Sequence, residues 1–179
     1  MTVRKHGLHS VRAVALVGML AATIEVAKLV LYFLPNVEVV TLLCGVYGYV
    51  FGAYGILASV VFVTIEPLIH GFGTWVVTYY LYWPFLTLIF MLLGKMRVRN
   101  RVILTLVALL MTVWFGIFSS LVDVGLFSGS YDRFFYRFGI YYVRGVGYYV
   151  AQLVTNAVVY PLLFRPLSNV LSKLKPKIT

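Results

Sequence analysis

Residues 11–33 read Val11-Arg-Ala-Val-Ala-Leu-Val-Gly-Met-Leu20-Ala-Ala-Thr-Ile-Glu-Val-Ala-Lys-Leu-Val30-Leu-Tyr-Phe33. A helix of ~20 apolar residues crosses a bilayer, and this run is long enough to do so. A secretory leader would have a shorter apolar core and a small-residue cleavage site, of which Ala21-Ala22 is only a weak mimic. The segment is therefore expected to stay in the protein as a first membrane helix. The rest of the chain has the same character. Of its 179 residues, 62% are hydrophobic and 11% charged, against about 45–50% and about 25% in soluble domains. No face of a soluble fold would hide so much apolar surface.

Working outward, five more apolar runs follow, at about 37–52, 54–70, 74–94, 102–126 and 141–164. Pro35 is read as the stop of the first run. The glycines of Phe51-Gly-Ala-Tyr-Gly55 separate the second from the third, and His70-Gly-Phe-Gly73 separates the third from the fourth. The expected architecture is an all-α integral membrane protein, one bundle of six transmembrane helices over residues 1–179. The longest connection, about 127–140, is expected as an outer loop.

Charge gives the expected orientation. Arg4, Lys5 and Arg12 precede the first run, and Lys95, Arg97, Arg99 and Arg101 lie between the fourth and fifth. Arg165, Lys173, Lys175 and Lys177 follow the sixth, and only Arg133, Arg137 and Arg144 fall on the other side. Six crossings put eleven basic residues on one side and three on the other. By the positive-inside rule both termini are expected in the cytoplasm. The net charge of +10 is thus orientation signal, and nucleic acid is not an expected partner. The lone Cys44 excludes an intrachain disulfide framework and a cysteine-rich metal site.

Ionisable residues inside spans are costly and usually have a partner or a task. Glu25 and Lys28, three apart on the first helix, are expected to pair. Glu38, Glu66, His70 and Asp123 come from three helices but reach one outer level, as an outward-facing site would require. Arg144, Tyr148, Gln152 and Asn156, at steps of four, are expected to form one ridge facing protein or a cavity. Aromatic residues cluster at 75–83 and 131–142, where they would line a ligand pocket or anchor the bundle at the interface. The expected substrate walls are Glu38, Glu66, His70, Trp75, Tyr79, Asp123 and Asn156, roofed by 70–75 and 127–140. Small residues Gly18 and Ala22 on the first helix, and Gly48 and Gly52 on the second, mark close helix contacts. The chain has no phosphate-binding loop, no His-Glu-x-x-His and no Gly-x-Ser-x-Gly. No catalytic residue, metal ligand or cofactor is expected.

The stretch Leu34-Pro-Asn-Val-Glu-Val-Val-Thr-Leu-Leu43, followed by Val50-Phe-Gly52, resembles the S components of energy-coupling factor (ECF) transporters. Glu66, His70-Gly-Phe-Gly-Thr-Trp75, Tyr82-Trp-Pro84, Asn156 and Leu163-Phe-Arg-Pro-Leu167 resemble one subfamily, that assigned to cobalamin. The resemblance implies a six-helix subunit in a prokaryotic plasma membrane that captures a vitamin or related micronutrient. It also implies a transmembrane coupling subunit and two ABC-type ATPases as partners, with docking through small first-helix residues, here Gly18 and Ala22. Pyridoxine-type and other vitamin-precursor substrates stay open. So do an intramembrane enzyme using Glu66, His70 and Asp123, and a structural membrane protein without a ligand.

Overall fold

A computed structural model describes residues 11–34, 37–129 and 131–178, excepting the side chains of 176–178. The stop read at Pro35, and the charges at Arg4, Lys5 and Lys177, lie outside what is described. Among the described residues the fold is six α-helices: α1 Val11–Val30, α2 Val40–Phe51, α3 Ala53–His70, α4 Trp75–Lys95, α5 Arg101–Phe127 and α6 Phe134–Ile178. Five of them, all but α2, are long and apolar enough to cross a membrane. Large apolar side chains are exposed along their outer faces, among them Val14, Leu81, Leu110 and Val154. That pattern suits a lipid solvent, in which only satisfied helical backbone is tolerated.

The breaks have local causes. Gly52 adopts φ +63° between α2 and α3, and Gly71 adopts φ +81° after α3, in the left-handed region that a side chain disfavours. The Asn100 side chain accepts a hydrogen bond from the Val102 N–H at 2.8 Å and so caps the start of α5.

Two boundaries differ from the sequence expectation. The second run forms a helix of only 12 residues, about 18 Å long against a hydrocarbon core of about 30 Å. It is the central helix, packed on α1, α3, α4, α5 and α6. Its wall is protein, so nothing requires it to match the bilayer. The sixth helix spans 45 residues, 134–178, rather than 141–164. The expected outer loop is therefore a short connection followed by helical turns. Hydropathy ends a span where polar residues appear, but Arg137 and the lysines after 170 are good helix formers. Beyond the main span the last turns still pack: Leu167 and Leu171 touch the core. The Lys175 Nζ donates to the Val50 carbonyl at 2.7 Å, placing a cation at the carboxyl end of α2.

Glycine sets how closely the helices approach α2. A Cβ at Gly48 would overlap the backbone carbonyl of Thr87 on α4, one at Gly94 would overlap the Tyr49 carbonyl, and one at Gly55 would sit 2.5 Å from the Tyr47 backbone. The Gly48 motif thus works inside this bundle. Gly18 and Ala22 do not: both are exposed, and a Cβ at Gly18 would meet nothing within 4 Å.

Candidate functional site

Because α2 begins only at Val40, the connection that follows α1 enters the bundle, and Glu38 hydrogen-bonds to Gln152, deep within α6. Above this point lies a half-enclosed cavity of about 240 Å³. Its aromatic wall is Phe62 from α3, Tyr79 and Trp83 from α4, and Phe115 from α5. These rings brace one another: Tyr79 and Phe62 meet Trp83 edge to face, at 5.8 and 6.3 Å between centroids, and Trp83 lies tilted against Phe115 at 6.1 Å. Leu31, Tyr32, Leu34 and Val37 close the side formed by the connection, and three polar residues, Lys28, Glu38 and Gln152, complete the lining.

Each polar group is held. Glu38 Oε2 accepts from the Val40 N–H at 2.7 Å, which also serves the exposed amide end of α2. Glu38 Oε1 accepts from Thr41 Oγ1 at 3.0 Å and Gln152 Nε2 at 2.6 Å. Three donors thus hold the two oxygens of this carboxyl. Lys28 Nζ forms an ion pair with Glu66 Oε2 and sits 5.6 Å from the Tyr79 ring centroid and 6.0 Å from that of Phe62. The Trp83 indole N–H is buried and has no acceptor among the described residues, so a donor at the cavity wall is unsatisfied.

The seven expected site residues separate. Glu38 and Tyr79 line the cavity. Trp75 supports it from behind, 5.0 Å from Tyr79. Glu66, only 1% exposed, acts on it through Lys28. His70 is exposed and stacks on Tyr32 with ring centroids 6.2 Å apart. Asn156 is buried, and its Nδ2 donates to Thr112 Oγ1 at 3.0 Å, fastening α6 to α5. Asp123 is half-buried with Oδ1 unpartnered among the described residues, eight positions beyond Phe115 on α5 and away from the lining. The lining side comes from Leu31, Tyr32, Leu34, Val37 and Glu38, where 70–75 and 127–140 were expected to form a roof.

Two pairings also change. Lys28 bridges to Glu66 on α3 instead of to Glu25. The ridge at 144–156 divides: Gln152 and Asn156 are buried, while Arg144 and Tyr148 are exposed. Steps of four on a 3.6-residue helix drift by about 40° each, so the ridge turns off the protein face within three steps.

Lys28, Gln152, Trp83, Phe62 and Phe115 were not on the expected wall. Gln152 and Trp83 were visible as part of a polar ridge and an aromatic cluster. Phe62 and Phe115 carry no signal that separates them from other apolar residues. A second group lies beside the cavity: Glu25, Glu66 and His70 each offer a ligand atom within 4.8 Å of the others, the one such cluster among the described residues. Asp123 does not join it. Comparison with known protein families, with curated proteins and with solved structures gives no match.

Proposed function

We propose that this chain is the substrate-capturing subunit of an ECF-type transporter and holds a small vitamin-like molecule in the cavity above α2. The observation that carries the reading is the lining itself: four braced aromatic rings face three fixed polar groups in a partly closed space. Ligand sites are mostly apolar with a few placed polar groups, and span about 300–1,000 Å³ for drug-sized molecules. A volume of about 240 Å³ favours a single substituted ring of the pyridoxine type. Cobalamin, the substrate suggested by resemblance, is far larger than this cavity. The rings offer stacking faces, and Glu38, Gln152 and Lys28 offer polar groups for ring substituents.

In this reading the ends of α1 and α3 near the cavity face outward, both termini are cytoplasmic, and all six helices lie within the membrane layer. Cys44 is buried, so single cysteines introduced at Val98 and Leu174 report sidedness against a quiet background. Both should react with an impermeant maleimide only in permeabilised cells. Reaction at either from outside would reject the orientation.

Delivery of the ligand falls to partners, a coupling subunit and two ATPases, since the sequence carries no phosphate-binding loop. The exposed small-residue face of α1 at Gly18 and Ala22 is the proposed docking surface, where bulk would keep backbones apart. Gly18→Leu should abolish ATP-dependent uptake of labelled pyridoxine in cells carrying the full transporter, and leave binding by the purified subunit unchanged. Unchanged uptake would remove docking from this face, and uptake driven by the subunit alone would reject the transporter-subunit reading.

A further inference from the structure

Two carboxylates sit side by side without enough partners. Glu25 on α1 is 7% exposed and Glu66 on α3 is 1% exposed. Both oxygens of Glu25, and Oε1 of Glu66, are buried with no hydrogen-bond partner among the described residues. Buried charges are normally paired or bound to a metal. Lys28 contacts Glu66 Oε2, and no cation among the described residues contacts Glu25. His70 completes the group. It lies four residues after Glu66, so the two side chains share one face of α3, and ligand atoms of all three residues fall within 4.8 Å of one another. His70 is exposed and stacks on Tyr32, which gives the group an opening to solvent and a preferred ring orientation.

We propose that Glu25, Glu66 and His70 bind one divalent transition-metal ion of the zinc or cobalt class. Imidazole with carboxylate oxygens is a donor set for such ions, with metal–ligand distances of about 2.0–2.2 Å. Tetrahedral ligands at that length are about 3.3 Å apart, so the group must contract by an ångström or so, and the exposed His70 at the end of α3 is free to supply the movement. Lys28, on the far oxygen of Glu66, then neutralises part of the ligand charge and fixes that carboxylate from behind. The site adjoins the cavity through Lys28 and through Tyr32, on which His70 stacks, and its existence does not depend on the function proposed above.

The test uses the full-length protein, purified in detergent and stripped with a chelator, titrated with Zn²⁺ alone and with Co²⁺ alone. The expected result is saturable binding of one ion, with Co²⁺ developing the visible absorption of nitrogen–oxygen coordination. Loss of an outer-shell partner alone weakens metal sites by about 10–100-fold, so His70→Ala and Glu25→Gln should each weaken binding by at least about tenfold. Glu25→Gln keeps the shape of the side chain and His70→Ala alters an exposed residue, so both variants should fold. Absence of saturable binding to the parent protein would overturn the site. So would equal affinity in the parent and both variants.

Discussion

Lys28→Met should be among the most destabilising single substitutions in this protein. It removes the one cation held against Glu66, whose side chain is 1% exposed, and strands a carboxylate next to the equally unpartnered Glu25. Breaking a buried ion pair by deleting one member costs about 3–5 kcal/mol. For a chain of this size that corresponds to a fall in the unfolding midpoint of roughly 6–20 °C. The double variant Lys28→Met/Glu66→Gln should recover most of the loss, because it removes the stranded charge while keeping the side chain's shape. Thermal unfolding of the three proteins in the same detergent measures this. A Lys28→Met midpoint equal to that of the parent would mean that Glu66 carries no charge needing a partner.

Gly48→Val should be comparably severe for a different reason. A Cβ at Gly48 runs into the backbone carbonyl of Thr87, and backbone cannot rotate aside as a side chain can. Relief requires α2 and α4 to separate, in a centre where Val46, Leu86 and Phe90 are fully buried. Overpacking typically costs about 1–3 kcal/mol where side chains can adjust; here they cannot, so at least the upper figure is expected, or roughly 6–12 °C. Gly139→Ala on α6 is the matched control. Nothing lies within 4 Å of its Cβ, and alanine is favoured over glycine in a helix by about 1 kcal/mol. Size-exclusion profiles and unfolding midpoints should show a broken or shifted Gly48→Val and an unchanged or slightly more stable Gly139→Ala. Equal behaviour of the two would contradict the close α2–α4 contact.

The four helices most legible in the sequence are those whose apolar runs meet lipid. The ends of α3, α4 and α5 fall within a residue or so of the runs at 54–70, 74–94 and 102–126, and the glycine breaks at Gly52 and Gly71 mark turns that need left-handed backbone. Hydropathy misjudged α2 and α6 because it reports the solvent, and neither helix has lipid as its only solvent. α2 is enclosed by protein, and both ends of α6 extend past the apolar stretch. In the site, Glu38 and Tyr79 were legible as a polar group and an aromatic ring near one level. The partner of Lys28 was not, since local spacing offers Glu25 and only the packing of α1 on α3 brings Glu66 within reach. Asn156, at helical spacing from Gln152, donates to Thr112 across the α5–α6 contact, while its buried Oδ1 has no partner among the described residues.

The claim on which the functional reading stands is that the space above α2 holds a small molecule. Val37 lines it from the connection rather than from a helix, so Val37→Trp would fill the cavity with little effect on the bundle. The measurement is equilibrium binding of pyridoxine and, separately, cyanocobalamin to the purified protein, followed by the fluorescence of Trp83 in the cavity wall, for the parent and for Val37→Trp. The account predicts saturable binding of the pyridoxine-type ligand to the parent, and loss of that binding in a Val37→Trp protein of normal thermal stability. Binding of the same ligand with equal affinity by both proteins would contradict it, and so would the absence of saturable binding of either compound by the parent.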